Sequence, residues 1–169
     1  MSDTLRGERV TLRRITEADV RRLAEIAAEP EIAHWWLGLT EDDLREKAGP
    51  DEEGLVYVIE ENGEVIGLVE AGEENDPDYR HAGIDIFLTS ARSGQGLGGD
   101  AIRTLARHLF EDRGHHRIVI DPAAANERAI RAYEWVGFKR VGIMRRYERG
   151  VDGEWHDGLL LDLLREELR

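Results

Sequence analysis

Gly83-Ile84-Asp85-Ile86-Phe87-Leu88-Thr89-Ser90-Ala91-Arg92-Ser93-Gly94-Gln95-Gly96-Leu97-Gly98-Gly99-Asp100 is the stretch on which the reading of this chain turns. Its first six residues alternate as a strand does. Ile84, Ile86 and Leu88 share one face, and Gly83, Asp85 and Phe87 share the other. Four glycines then fall between positions 94 and 99. A helix follows from about Asp100, with Ile102, Leu105, Ala106, Leu109 and Phe110 at helical spacing. Glycine admits positive φ and lets an anion approach the backbone closely. A helix N-terminus adds unsatisfied N–H donors and a favourable dipole. Strand, glycine turn and helix in that order predict a cradle for a phosphate or pyrophosphate.

Gly94, Gly96 and Gly99 also satisfy the G-x-G-x-x-G dinucleotide fingerprint, with Asp121 about the right distance downstream. Two features reject it. The fingerprint glycines follow their strand at once, whereas Thr89 to Ser93 intervene here. The dinucleotide unit usually opens its domain, and about 90 residues of helix and strand precede this one.

Outward toward the N-terminus, Leu55 to Glu60 and Val65 to Ala71 are β-rich runs around Asn62-Gly63, a strong hairpin signal. Glu73 to Arg80 is polar, contains Pro77 and reads as a loop. Arg9 to Ile15 reads as a first strand. Thr16 with Asp19, and Thr40 with Asp43, have the spacing of capping boxes before two helices. The first helix carries Val20, Leu23, Ala24 and Ala27 on one stripe and ends at Glu29-Pro30. The aromatic segment His34 to Gly38 reads as a loop.

Outward toward the C-terminus, Arg117 to Ile120 is a buried-looking strand ending at Asp121-Pro122. Ala129, Ile130, Tyr133 and Val136 mark a helix stopped by Gly137. Phe138 to Arg149 and Trp155 to Leu164 form a last β pair around Asp152-Gly153. The expected order is β, α, α, β, β, β, α, β, α, β, β. This is a mixed α/β sheet covered by helices, in one domain spanning residues 1–169.

Composition bounds the chemistry. With no cysteine there is no disulfide, thiol nucleophile or thiolate metal site. His34, His81, His108 and His156 stand alone, and His115-His116 lacks partners at ligand spacing, so no metal is expected. No apolar run is long enough to span a membrane, and Met1 to Arg6 lacks a leader pattern. A cytoplasmic protein is expected. Acidic residues number 36 against 23 basic ones, a formal charge of −13. That field repels nucleic acid and anionic lipid and attracts cations.

Beyond the glycine turn stands Asn126-Glu127-Arg128-Ala129-Ile130-Arg131-Ala132-Tyr133-Glu134-Trp135-Val136-Gly137-Phe138. Together the two motifs resemble the GNAT superfamily of acyl-coenzyme A-dependent N-acetyltransferases. The resemblance implies a central, mostly antiparallel sheet, flanked by helices and splayed between the fourth strand (Gly83 to Leu88) and the fifth (Arg117 to Ile120). It implies acetyl-coenzyme A as co-substrate. Its pantetheine arm would run along Ile86, Phe87 and Leu88, with its pyrophosphate at Gln95, Gly96, Leu97, Gly98 and Gly99. Asn126 would bond the pantetheine arm, or simply cap its helix. Tyr133 would donate a proton to the departing thiolate, or be a core residue with a satisfied hydroxyl. Ser93 stands where the family usually has Arg or Gln, and Arg92 is one position early.

Gly83 to Leu88, Ile120-Asp121-Pro122 and Asn126 to Phe138 are similar in particular to the aminoglycoside 6′-N-acetyltransferases. That implies Asp85 as general base and Asp121 as a ligand for substrate amines. Chemically, an alkylammonium must lose a proton before it attacks a thioester, and a nearby carboxylate can accept it. Asp85 could instead be a structural carboxylate, and Asp121 part of an Asp-Pro turn. A polycationic, hydroxyl-rich acceptor suits Glu70, Glu73, Glu74, Asp76 and Asp78, with Trp35, Trp36 and Tyr79 against sugar faces. A monomer or homodimer is expected. Leu5 to Ile32 also resemble acetyltransferases of ribosomal-protein N-termini, and a non-catalytic acyl-coenzyme A-binding module is the alternative outside the enzymes.

Overall fold

The computed structural model describes residues 4–36, 38–50 and 55–169. Met1 to Asp3 of the N-terminal stretch and Leu37 of the aromatic segment lie outside the described residues. Among the described residues eight strands make one sheet: β1 (Thr4–Arg6), β2 (Thr11–Arg14), β3 (Leu55–Glu61), β4 (Glu64–Glu74), β5 (His81–Leu88), β6 (Arg117–Ile120), β7 (Lys139–Arg149) and β8 (Trp155–Leu164). Their order is β1-β2-β3-β4-β5-β6-β8-β7. Every neighbouring pair is antiparallel except β5 and β6. The helices are α1 (Val20–Ala27), α2 (Pro30–Ala33), α3 (Glu41–Lys47), α4 (Leu97–Glu111) and α5 (Glu127–Val136).

The sheet divides the apolar residues into two cores. On one face Ile84 of β5 packs with Leu97, Ile102, Leu105 and Leu109 of α4 and Ile130 of α5. On the other, Phe87 of β5 packs with Val20, Leu23 and Ile26 of α1 and Leu44 of α3. The alternation read along Gly83 to Leu88 is thus the alternation of these two cores. Asn62 at φ 52° and Gly63 at φ 80° make the β3–β4 turn, the paired positive φ of a type I′ hairpin.

Two local expectations are corrected. Arg9 to Ile15 contains β2 as expected, but a further strand, β1, precedes it in a hairpin whose turn is held from far away. The Asp100 carboxylate accepts the backbone N–H groups of Glu8, Arg9 and Val10 at 3.1, 2.8 and 3.0 Å. Gly7 is needed there, since a Cβ would stand 2.6 Å from Thr104 Oγ1 and 2.7 Å from Asp100 Oδ2. Pro30 does more than end α1. It opens α2 at its first turn, where the missing N–H costs nothing.

The parallel contact positions the site. β5 and β6 share only two residue pairs, Ala82↔Ile118 and Gly83↔Val119. Beyond Gly83 the strands part, and the edge of β5 from Ile84 to Leu88 is left open to a cleft. This is the splay expected between those two strands. Among the described residues no helix is long and apolar enough to cross a membrane.

Candidate active site

A cavity of about 900 Å³ fills the parting of the sheet. Its walls include Ile86, Phe87 and Leu88 on the β5 edge, Gly96 to Gly99 at the start of α4, and Asn126, Arg128 and Tyr133 on α5. Gly94 and Gly96 take φ of 77° and 80°, a region that L side chains avoid. A Cβ built at Gly94, Gly96 or Gly98 would meet nothing within 4 Å, so this backbone faces open space. Gly96 caps α4 without any side-chain hydrogen bond. The first N–H groups of α4 therefore remain available to an anion. The acid of the first turn, Asp100, is turned away to the β1–β2 hairpin. A phosphate-bearing ligand fits this donor set.

Asn126 caps α5 through Oδ1, which accepts the Ala129 N–H at 3.3 Å. It also lines the cavity, and its side-chain nitrogen has no protein partner among the described residues. The two readings of Asn126 are therefore compatible. Trp36 donates its indole N–H to the Ile86 carbonyl at 3.2 Å and meets Phe87 edge-on at 5.1 Å. A residue of an antiparallel ladder presents its N–H and C=O to the same side. The backbone of Ile86 thus faces the cleft, with Trp36 against it.

A second cavity of about 380 Å³ adjoins the first, sharing Trp35, Trp36, Ile86, Asn126 and Tyr133 as walls. Three carboxylates line it: Asp85 from β5, Asp121 just after β6, and Glu148 from β7. Asp85 is open to solvent through the cleft, yet protein crowds it closely enough to limit its hydration. That desolvation, with Asp121 and Glu70 adding repulsion against a smaller pull from Lys47, pushes its pKa up to about 6. Desolvation, then Asp121, also raises the pKa of Glu148. Tyr133 stands at the junction. Burial and the two aspartates hold its phenol well above the ordinary range, so it keeps its proton at any working pH. No protein group hydrogen-bonds its hydroxyl among the described residues.

Tyr147 and Glu148 were not anticipated from sequence. A bulge between Met144 and Glu148 breaks the alternation of β7. Arg146 takes φ 49° there, and its N–H is held by Asp157 Oδ1 at 2.8 Å. The Tyr147 ring crosses Gly158, where a Cβ would stand 2.9 Å from Tyr147 Cδ2. Its hydroxyl donates to Asp121 Oδ2 at 2.5 Å, which pushes the phenol pKa up to about 12. The trace of this in sequence is Gly158 inside a strand, a mark of close approach.

Other predicted residues stand apart. Glu70 lies directly across from Asp85 in the β4–β5 ladder but is ion-paired to Lys47 at 2.7 Å and lines neither cavity. Asp78 and Tyr79 sit in the β4–β5 turn, Asp78 bonded to Asp76 Oδ1 at 2.9 Å and Tyr79 largely exposed. Arg80 and the β5 residues His81 to Ile84 lie between Tyr79 and Asp85, a separation of up to roughly 20 Å. Glu73 is held by Arg113 and His115 at 2.5 and 2.6 Å. Gln95 belongs to the glycine turn but faces outward, its carbonyl accepting from Arg9 at 2.5 Å.

Residues 9–139 match the family model described as an acetyltransferase (GNAT) domain. The chain is 36% identical to aminoglycoside N(6′)-acetyltransferase type 1 of Klebsiella pneumoniae over an alignment of 156 residues, covering 80% of this chain and 77% of that one. A solved structure of aminoglycoside acetyltransferase AAC(6′)-Ib in complex with coenzyme A and kanamycin superposes with a TM-score of 0.75 at 32% identity, covering 94% and 96% of the two chains. Mycobacterium smegmatis RimJ in complex with CoA-disulfide superposes with a TM-score of 0.85 at 28% identity, covering 98% and 89%.

Proposed function

The chain belongs to the GNAT acetyltransferase family and is an acetyl-coenzyme A-dependent N-acetyltransferase; on that premise we propose that its acceptor is a polycationic primary amine, the 6′ amine of an aminoglycoside. The observation that carries this reading is the trio Asp85, Asp121 and Glu148 around a cavity that adjoins the larger one at Tyr133. Three carboxylates suit an acceptor with several ammonium groups better than a single amine.

When bound, acetyl-coenzyme A supplies an acetyl group activated as a thioester. The α4 N-terminus and the glycine turn bind its phosphates, and Asn126 and the Ile86 edge orient its arm. Asp121, fixed by Tyr147, holds an ammonium of the acceptor. Asp85 takes the proton from the attacking amine. A carboxylate titrating near 6 is ionised at neutral pH and more basic than an ordinary aspartate, which suits a general base. Tyr133 offers a proton at Oη toward the leaving sulfur. A phenol held well above a thiol in pKa favours a hydrogen bond to the nascent thiolate over full transfer.

The test is thiol release from acetyl-coenzyme A with aminoglycosides, polyamines and N-terminal peptides as acceptors. Turnover with kanamycin-type compounds, lost when the 6′ amine is replaced by hydroxyl, is expected. Turnover with peptides alone would overturn the aminoglycoside assignment and leave the acetyltransferase in place.

A further inference from the structure

A chain of charge −13 must neutralise the phosphates it binds, and backbone N–H groups carry no net charge. The arginines around the glycine turn are unequal in this respect. Arg92 is bound by Glu61 and by Glu64, the latter at 3.0 Å. Arg9 is bound by Gln95 O at 2.5 Å and Glu61 at 3.3 Å. Both are engaged on the outer side of the turn. Arg131 pairs with Glu127 at 3.9 Å.

Arg128 differs. It projects from the first turn of α5, lines the large cavity, and reaches back to Ser93 Oγ at 3.1 Å. It has no carboxylate partner among the described residues. Ser93 is itself fixed. Its hydroxyl donates to Ser90 O at 2.9 Å, leaving lone pairs for the guanidinium. Ser90 is anchored in turn, with its N–H and Oγ on Glu29 Oε1 at 2.9 and 2.7 Å. The guanidinium is thus parked beside the turn by one neutral acceptor, with four of its five N–H donors uncommitted. That fork matches two phosphate oxygens.

We propose that Arg128, positioned by Ser93, is the cation that completes the pyrophosphate site of the glycine turn. The assignment rests on the coenzyme A reading of this cavity. It places the cation on α5 rather than within the turn, so that a bound pyrophosphate ties the N-termini of α4 and α5 together.

The experiment is calorimetric binding of coenzyme A, 3′-dephospho-coenzyme A and pantetheine to wild type, Arg128→Met and Ser93→Ala. Arg128→Met is expected to weaken both phosphorylated ligands by the same factor, about 10- to 100-fold for a lost charge-assisted hydrogen bond, and to leave pantetheine unchanged. Ser93→Ala, which unseats the guanidinium without removing it, shows the same pattern at about threefold. Three results would overturn the proposal: no loss, an equal loss for pantetheine, or a loss for coenzyme A alone, which would move Arg128 to the 3′-phosphate. Wild type that binds none of the three would break the coenzyme A reading itself.

Discussion

The two cavities that meet at Tyr133 are built by opposite means. The larger one is backbone: a β5 edge, a turn of glycines and an uncapped helix start. The smaller one is side chain: carboxylates brought from β5, the end of β6 and a bulge in β7. A backbone site asks for conformation, so it is written locally as glycines between a strand and a helix. A side-chain site asks for position, and position comes from the whole sheet. The same protein therefore has one site governed first by backbone conformation, with Arg128 its proposed side-chain supplement, and another governed by side chains alone.

Asp85→Asn tests this contrast most severely. It is expected to lower kcat by about 10²- to 10⁴-fold, the range for a lost general base, while calorimetry finds coenzyme A affinity unchanged. In wild type, activity falls as pH drops through about 6, where Asp85 takes up a proton; the variant lacks that limb. Stability moves the other way. The folded-state pKa of Asp85 is raised, so its ionised form disfavours folding, and the cost appears as pH rises from 4 through about 6. The variant should melt above wild type at pH 8 and level with it at pH 4. Equal melting curves at pH 8 would mean that the acidic cavity is not strained by its charge.

Gly96→Val is the converse change. A β-branched residue at φ 80° costs about 1–2 kcal/mol in backbone strain alone, and its side chain enters the cradle. Coenzyme A affinity should drop by more than about 30-fold, with amine binding to the acidic cavity intact. Retained coenzyme A affinity would break the claim that this turn is the phosphate site. Tyr147→Phe is the finest probe. It removes the donor that fixes Asp121 and should raise the amine KM by about threefold at unchanged kcat. A fall in kcat instead would give Tyr147 a part in the chemistry.

What was legible in sequence follows the same division. The Asn62-Gly63 hairpin, the glycine turn, the Thr40–Asp43 cap and Gly137 at the end of α5 are local signals, and each stands where it was read. Asp85 and Asp121 were found by motif and share one cavity. Glu148 and Tyr147 were not, because a bulge of two extra residues between Met144 and Glu148 interrupts the regular faces of β7, and its anchor Asp157 lies on the partner strand. Charge and aromatic composition point to Glu70, Asp78 and Tyr79, but composition carries no geometry. Lys47 takes up the first, and a strand's length removes the others. The β1–β2 hairpin escaped for a related reason: its organiser, Asp100, is some 90 positions away.

The parting of β5 and β6 after two residue pairs also bears on how the molecule opens. The ladder β1 to β5 and the ladder β6-β8-β7 have almost no backbone hydrogen bonds in common. Backbone hydrogen bonding therefore hardly couples the two ladders, and the core shared by Ile84, Ile118, Ile120, Leu161 and Leu163 does so instead. β7, exposed along nearly its whole length, should exchange its amides first, and β4, sandwiched between β3 and β5, last. The seam that makes room for a ligand is thus also the line along which the two halves of the sheet are joined by side-chain packing rather than by backbone hydrogen bonds.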